Sequence, residues 1–401
     1  MKVLTLGLSP SLYISHGRIH AIIMEYLFKS GHAIASAAWG HDTNYFLPEE
    51  DGKGNSRFYH KFGEYKIPLM PIDMRNDPAI QTYKIIEHHK PDIVVSVGDI
   101  CDVLFMKAVK MFVNTPFKWL AVLLNHAYPV NEKNIELIPD MDGVLCSYKE
   151  SFELMSELYK KDEISLSYVG CVDVHETERQ PDTFRIMTCG QNTSTDNVPL
   201  LMESVSQLAK DMPDVQLYVH SNTFDAGEYD MQLLKERFDP ENKHILFPSK
   251  YVSLIDGYPE LEFRAELARS DVFVDISVSS SSSLAIFEAI SCGCLPLMSD
   301  VGCHRDVADF LADSLPGFDR DDFLVSCIEI MTRGEVYIGI CQPDELKYKL
   351  KAICSKIKKG VNSTFCQEFV ESHNRKGFLN DFSEMLENVM KVTQIICVES
   401  V

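Results

Sequence analysis

The sequence predicts an α/β chain: two doubly wound parallel-sheet domains followed by C-terminal helices. Three observations carry this reading. Short apolar runs ended by Gly, Ser or Asp alternate with longer amphipathic segments; the series restarts after one polar, proline-containing stretch; and from Asp319 onward it gives way to helix-like segments. Strands alternating with helices imply βαβ units and a mostly parallel sheet buried on both faces. A length of 401 residues exceeds one comfortable hydrophobic core and favours two domains.

The first series opens with VLTLGL (3–8), a strand, and RIHAIIMEYLFKSGH (18–32), a helix with Ile19, Ile22, Ile23, Tyr26 and Leu27 at helical spacing and Gly31 as its stop. AIASAAWG (33–40) is the next strand and AIQTYKIIEHHK (79–90) the next helix. DIVVSVGD (92–99), KWLAVLLNH (118–126) and GVLCSY (143–148) are further strands, the last leading into the helix ESFELMSELYKK (150–161). These place a first domain at 1–172.

HETERQPD (175–182) is polar and carries a proline, as an interdomain linker does. The second series then runs FRIMTCG, VPLLMESVSQLAKDM, VQLYVHS, HILFPS, LEFRAELARS, DVFVDIS, LAIFEAISCG and LPLMSD, giving a second domain at 183–370. Beyond Asp319, FLVSCIEIMTRG (323–334), ELKYKLKAICSKIKKG (345–360) and the run from Phe365 to Ile396 read as helices. Residues 371–401 are expected to form a C-terminal helix that packs back on the N-terminal domain.

Hydrophobic residues at 45% and charged residues at 24% are ordinary for a packed globular protein. The formal net charge of -21 argues against nucleic-acid polymers and anionic membrane surfaces as partners. It leaves small anions open, because they respond to the field within one cleft. Twelve cysteines contain no CxxC pair, which favours buried reduced thiols over disulfides or zinc. The N-terminal MKVLTLGLSP lacks a signal-type apolar region, and no stretch approaches the roughly 18 apolar residues of a membrane span. A cytoplasmic location is the resulting expectation.

In open α/β sheets, ligands lie at the carboxyl ends of the strands. The first strand ends at Gly7 and Ser9, and the following helix starts with Ser15, His16, Gly17 and Arg18, where a glycine lets backbone N–H groups approach a phosphate. Taken alone, that tetrapeptide is better explained by a capping serine before a surface helix. SSSSSLAIFEAISCG (279–293) carries more: the serines sit between a strand and a helix, where hydroxyls cap N–H groups and the dipole favours an anion. Ser281, Leu284 and Glu288 share one face of that helix. Glu288 is then a carboxylate in an apolar helix, for which ribose hydroxyls are suitable donors. A surface-facing or Arg-paired glutamate is the alternative.

The stretch DVFVDISVSSSSSLAIFEAISCGCLPLMSDVGCHRDV (271–307) resembles the donor-binding signature of retaining glycosyltransferases of family 4, which have the GT-B fold of two Rossmann-like domains facing a central cleft. Leu284, Glu288, Ala289, Gly293, Pro296, Ser299, Asp300 and Gly302 stand where that pattern places them. GRIHAIIMEYLFKSGHAIASAAWG, DIVVSVGDI, HAYP, DGVLCSYKESFELM and CGQNTSTDNVPLLMESVSQLAKDMPDVQLYVHS resemble other segments of the family in order and spacing, so the likeness covers roughly residues 1 to 315. It implies metal-independent transfer of a sugar from a nucleoside diphosphate donor, with retention at the anomeric carbon and no cofactor beyond that co-substrate.

By the same resemblance, Glu288 binds the ribose. The backbone of Ser280, Ser281, Ser282 and Ser283, leading into Leu284, meets the pyrophosphate together with the Gly17 loop and Arg18. His126, closing a first-domain strand, faces the sugar. Acceptor specificity falls to first-domain loops such as 41–63.

The chain also departs from the family. The first glutamate of the signature, associated with the donor sugar, is Ser280, and the Gly-aromatic-Gly turn is Ser281, Ser282 and Ser283. An Arg and a Lys on the diphosphate are Gln191 and Asp196, which removes two cations and adds an anion. Arg18, Lys250, Arg264, His304 and Arg305 are the nearest candidate replacements in sequence. His126 and Ser280 are thus the catalytic positions, and Gly17, Arg18, Gln191, Ser281, Ser282, Ser283, Leu284 and Glu288 the donor-binding ones. Two alternatives accompany the enzyme: a non-catalytic nucleotide or sugar binder of the same fold, and a transferase acting on modified bases of viral DNA, which the net charge disfavours.

Overall fold

The computed structural model describes the chain except residues 13, 41–48, 51–55, 125–134, 160, 170–182, 222–226, 251–257, 259, 281, 283, 333–336, 358–363 and 399–401. It divides into two compact units. One comprises Met1–Asn125, Val130–Tyr168 and Lys376–Val401; the other comprises His126–Pro129 and Val169–Arg375. The polar stretch 175–182 lies outside the described residues.

The first unit is built on β1 (Lys2–Leu8), β2 (Ala33–Trp39), β3 (Glu49–Glu50), β4 (Ser56–Phe62), β5 (Tyr65–Pro71), β6 (Ile93–Gly98), β7 (Lys118–Leu123), β8 (Gly143–Cys146) and β9 (Ile164–Leu166), in the order β3-β4-β5-β2-β1-β6-β7-β8-β9. From β5 to β9 the neighbours run parallel. Every residue of β6 is buried, and its β-branched Ile93, Val94, Val95 and Val97 are what a strand covered on both faces requires. The Trp119 indole donates to Ser96 Oγ at 2.9 Å, satisfying both polar groups inside the sheet.

The segment 41–63, read from its composition as a polar and aromatic loop, contains structure of its own. β4 pairs antiparallel with β5 and extends the sheet edge beyond β2. Phe58 and Phe62 pack with Phe28, Ile67 and Leu69 in a satellite cluster, which the surrounding Lys, Arg and Gly residues hide in a compositional reading.

The second unit carries a parallel sheet of β10 (Phe184–Cys189), β11 (Val215–His220), β12 (Ile245–Leu246), β13 (Val272–Asp275), β14 (Leu295–Ser299) and β15 (Leu324–Val325), in the order β12-β11-β10-β13-β14-β15. The strand order reverses at β10 and β13, and the loops leaving these two strands hold the candidate site. FLVSCIEIMTRG is not helical: it supplies β15 and then β16 (Cys327–Met331), which forms an antiparallel hairpin with β17 (Tyr337–Cys341). Cys327, Glu329 and Met331 alternate with Ile328 and Ile330, a period of two that the preceding helix-like segments mask.

Helices Pro343–Ile357, Thr364–Ser372 and Arg375–Val398 complete the chain. The run from Phe365 to Ile396 is two helices, interrupted at His373 and Asn374. The last helix belongs to the first unit: Phe382 meets Tyr26 edge-on at 6.1 Å, and Ser167 Oγ donates to Asp381 Oδ2 at 2.6 Å. No described helix is long and apolar enough to cross a membrane.

Candidate functional site

The loop leaving β10 folds around its own acidic side chain. Asn197 takes a left-handed conformation, φ 52°, and donates through Nδ2 to the Ile276 carbonyl at 3.0 Å, while the Val278 amide donates to the Thr195 carbonyl at 2.9 Å. The loop is therefore fastened to the end of β13. Thr193 Oγ1 donates to Asp196 Oδ2 at 2.6 Å, and a Cβ on Gly190 would lie 2.9 Å from Asp196 Oδ1. Glycine is needed there because the carboxylate occupies the space.

Asp196 is the most perturbed carboxylate of this loop. Burial chiefly, with Asp275 and Glu228 adding repulsion, raises its pKa to about 6, against the Thr193 hydroxyl and the Gln191 backbone amide, which favour the anion. Hydrogen bonds from the Ser194 hydroxyl and from its amide, at 2.6 Å, hold the Glu228 carboxyl below the usual range.

The second loop leaves β13 through Asp275. Ser277 donates to Asp275 Oδ1 from both its amide, at 3.1 Å, and its hydroxyl, at 2.5 Å. Buried His304 faces the same carboxylate, Nε2 to Oδ2 3.5 Å, with Nδ1 2.9 Å from the Ser299 carbonyl. Asp275 closes a strand, and that position was the available signal in the sequence, although the notable serines drew the reading past it.

Ser280 is buried, and its hydroxyl lies 3.2 Å from the Cys303 thiol while its carbonyl accepts from the Cys303 amide at 3.1 Å. Gly302 turns the chain here with φ 44°, and a Cβ on it would run into the Ser280 carbonyl oxygen. Gly302→Ala is accordingly expected to destabilise the protein by about 3 kcal/mol, from backbone strain plus overpacking, measured by urea unfolding. A loss below about 1 kcal/mol would show that the turn can open.

Ser282 is 6% exposed, and its hydroxyl has no hydrogen-bond partner among the described residues, although its carbonyl accepts from the Leu284 amide at 3.0 Å. The helix Leu284–Ser291 follows, with all its residues but Ala285 buried. Glu288 is 3% exposed within it, which excludes a surface-facing glutamate. Ser281 and Ser283, expected beside Ser282, lie outside the described residues.

Among the candidate replacement cations, Lys250 pairs with Glu262 at 2.5 Å, and Arg305 pairs with Asp300 at 2.8 Å and Glu329 at 3.5 Å. Arg264 lies on the helix Glu260–Ala268. Gln191 follows Gly190 and is half-buried. No group of three or more His, Cys, Asp or Glu side chains among the described residues could hold a metal ion.

In the first unit, Gly17 sits in the first turn of the helix Ser15–Lys29, where a Cβ would lie 2.5 Å from the Leu12 carbonyl oxygen and 2.6 Å from that of Ser9. The loop thus rests directly on the helix start, and Arg18 beside it is half-buried. Sequence reasoning passed over His20, whose Nδ1 lies 2.7 Å from the Leu8 carbonyl and whose pKa burial lowers to about 4. Its place among the apolar positions Ile19 and Ile23 was the available signal. His126 lies outside the described residues.

No protein-family model matches the chain, and no curated protein matches it by sequence. Solved structures do. Sucrose-phosphate synthase from Thermosynechococcus elongatus superposes with a TM-score of 0.71 at 12% identity, covering 98% of this chain and 100% of that one. Anabaena HepE in complex with UDP gives 0.64 at 12% identity, covering 97% and 100%. The pneumococcal O-GlcNAc transferase GtfA, in complex with UDP and GlcNAc, gives 0.62 at 11% identity, covering 97% and 99%. At these identities the likeness speaks for architecture. With two Rossmann-like parallel-sheet units and C-terminal helices along its full length, the chain has the GT-B fold.

Proposed function

We propose that the protein is a glycosyltransferase that moves a sugar from a nucleoside diphosphate donor to an acceptor with retention of configuration, as the family-4-like signature implies. The observation that carries this is Glu288, buried in the helix after β13 on a GT-B fold. Two of the similar structures are complexes with UDP, which supports a nucleotide donor. In this reading Glu288 accepts hydrogen bonds from the ribose hydroxyls. The Ser282 hydroxyl, which has no partner among the described residues, and the amide groups at the start of the following helix meet the diphosphate. Gly17, Arg18, Gln191, Ser281, Ser283 and Leu284 are proposed as further donor-binding positions, and His126 as the group facing the sugar.

In this reading Ser280, expected at a catalytic position, takes a different part from the glutamate it replaces. A hydroxyl engaged with a buried thiol has no charge to offer a developing cation, so its proposed part is to position the turn. Asp196 favours a second reading, a binder of nucleotide or sugar without turnover, because it adds an anion where a leaving diphosphate needs compensation.

A panel of nucleotide sugars separates the two readings. Release of nucleoside diphosphate from one donor, with the transferred sugar recovered on an acceptor or on water, is the expected result. Thermal stabilisation by a donor without product would select the binder. Neither stabilisation nor turnover with any donor would overturn both.

A further inference from the structure

Cys327 and Cys341 stand directly opposite each other on β16 and β17, with their Sγ atoms 3.4 Å apart. Cys341 is buried and Cys327 half-buried, so one thiol is reachable from solvent and the other waits behind it. Hydrogen bonding from Cys341 holds the Cys327 thiol below its ordinary pKa, and the same contact with burial pushes Cys341 up. A reachable sulfur with thiolate character beside a protected one is the arrangement of an attacking and a resolving cysteine.

The hairpin also presses on the Ser280 turn. The Gly339 amide donates to the Val278 carbonyl at 2.8 Å, and a Cβ on Gly339 would lie 2.5 Å from Val301 Cγ1 and 2.9 Å from Cys327 Cβ. Residues opposite each other in an antiparallel pair have Cβ atoms about 4.5–5.5 Å apart, whereas a disulfide brings them to about 3.5–4.5 Å. Closing the bond therefore draws β16 and β17 together at a place with no slack, and Val278 and Val301 flank Ser280 and Gly302.

We propose that Cys327 and Cys341 are a redox-active pair, oxidised to a disulfide by small disulfides of the glutathione class, and that the bond shifts the turn containing Ser280. The Cys327 thiolate attacks one sulfur of the oxidised glutathione, forming a mixed disulfide and releasing one glutathione thiolate. Cys341 gives its proton to that thiolate and attacks Cys327 Sγ, expelling the second glutathione. Two cysteine thiols are oxidised, and one glutathione disulfide is reduced to two thiols.

The test equilibrates the full-length protein in glutathione buffers, alkylates free thiols and weighs the peptides. Oxidised wild type is expected to lose two hydrogens and link Cys327 to Cys341. Cys341→Ser is expected to stall as a glutathione adduct on Cys327, and Cys101→Ser, at an exposed thiol elsewhere, to leave the link intact. Both thiols remaining alkylatable in wild type, or no adduct in Cys341→Ser, would overturn the pair. Amide exchange at Gly339 and across 278–302 is expected to change at least about threefold on oxidation. Unchanged exchange would overturn the coupling to the turn. Neither readout involves a nucleotide, so the result is independent of the proposed transfer.

Discussion

Glu288→Ala is expected to weaken the binding of UDP or a UDP-sugar by about 10- to 100-fold. The carboxylate is 3% exposed in a helix whose Leu284, Ile286, Phe287, Ala289 and Ile290 are also buried, and Phe287 stacks on Phe369 at 5.5 Å. The apolar neighbours that hold the helix stay in place in the variant. What the alanine removes is an acceptor for hydrogen bonds to a charged group, worth about 1.5–3 kcal/mol each, and about 1.4 kcal/mol is tenfold in affinity. Glu288→Gln keeps the shape and one acceptor oxygen, so an intermediate loss is expected. Titration calorimetry measures both variants, and equal affinity in wild type and Glu288→Ala would remove the ribose assignment.

Asp196→Asn is expected to stabilise the protein at neutral pH and to tighten donor binding there. The carboxyl is raised from 3.8 to about 6 in the folded state. Below about pH 3.8 it is protonated whether the chain is folded or not, and its titration costs nothing. As pH rises through the window from 3.8 to 6, the unfolded chain releases a proton that the folded chain retains, and stability is lost. Above about pH 6 the full cost is present, about 3 kcal/mol at about 1.4 kcal/mol per pH unit. Asparagine removes the ionisation while preserving an acceptor for Thr193. Its gain, measured by urea unfolding, should be about 2–3 kcal/mol at pH 7–8 and nearly absent at pH 4.

The donor should respond in the same direction. An anion beside the diphosphate repels it only when ionised, so wild-type affinity for a UDP-sugar is expected to rise as pH falls from 7 towards 5. The Asn variant should start about tenfold tighter and show a flatter profile. A pH-independent wild type, with no gain in Asp196→Asn, would place Asp196 away from the phosphates.

The sheets were legible because their strands are buried on both faces and written in unbroken apolar letters. Ile93 to Val95 and Val272 to Val274 admit little else. The helix from Ser15 was legible through Ile19, Ile23 and Leu27, and its stop through Gly31, which has φ 81°. Edge elements were harder to read. β4 carries Ser, Arg, His and Lys among its aromatic residues, and β16 leaves Ile328, Ile330 and Met331 exposed, so neither shows the burial pattern that composition detects.

The two loops proposed as the site were legible as connections between strands and helices, and their wiring was not. Spacing placed Glu288 on an apolar helix but was silent on whether it faced water. Gln191 and Asp196 were noticed as departures, yet nothing in the letters says that Asp196 lies against Gly190 with Thr193 as its donor. Those contacts arise from a left-handed residue at Asn197 and from hydrogen bonds that the Ile276 carbonyl accepts and the Val278 amide donates, far away along the chain.

The return of the last helix to the first unit sets a rule for how this chain can be assembled. Phe382, Met385, Leu386 and Val389 are buried, and Val389 and Met385 close over Gly143, where a Cβ would leave no room. Until residue 389 has been synthesised, the surfaces around Tyr26 and Gly143 lack this cover, whereas the residues of the second unit end at Arg375. The half made first is then the half completed last. A fragment cut after Tyr168 should expose that apolar seat and self-associate, and a separately supplied 376–398 peptide should restore it.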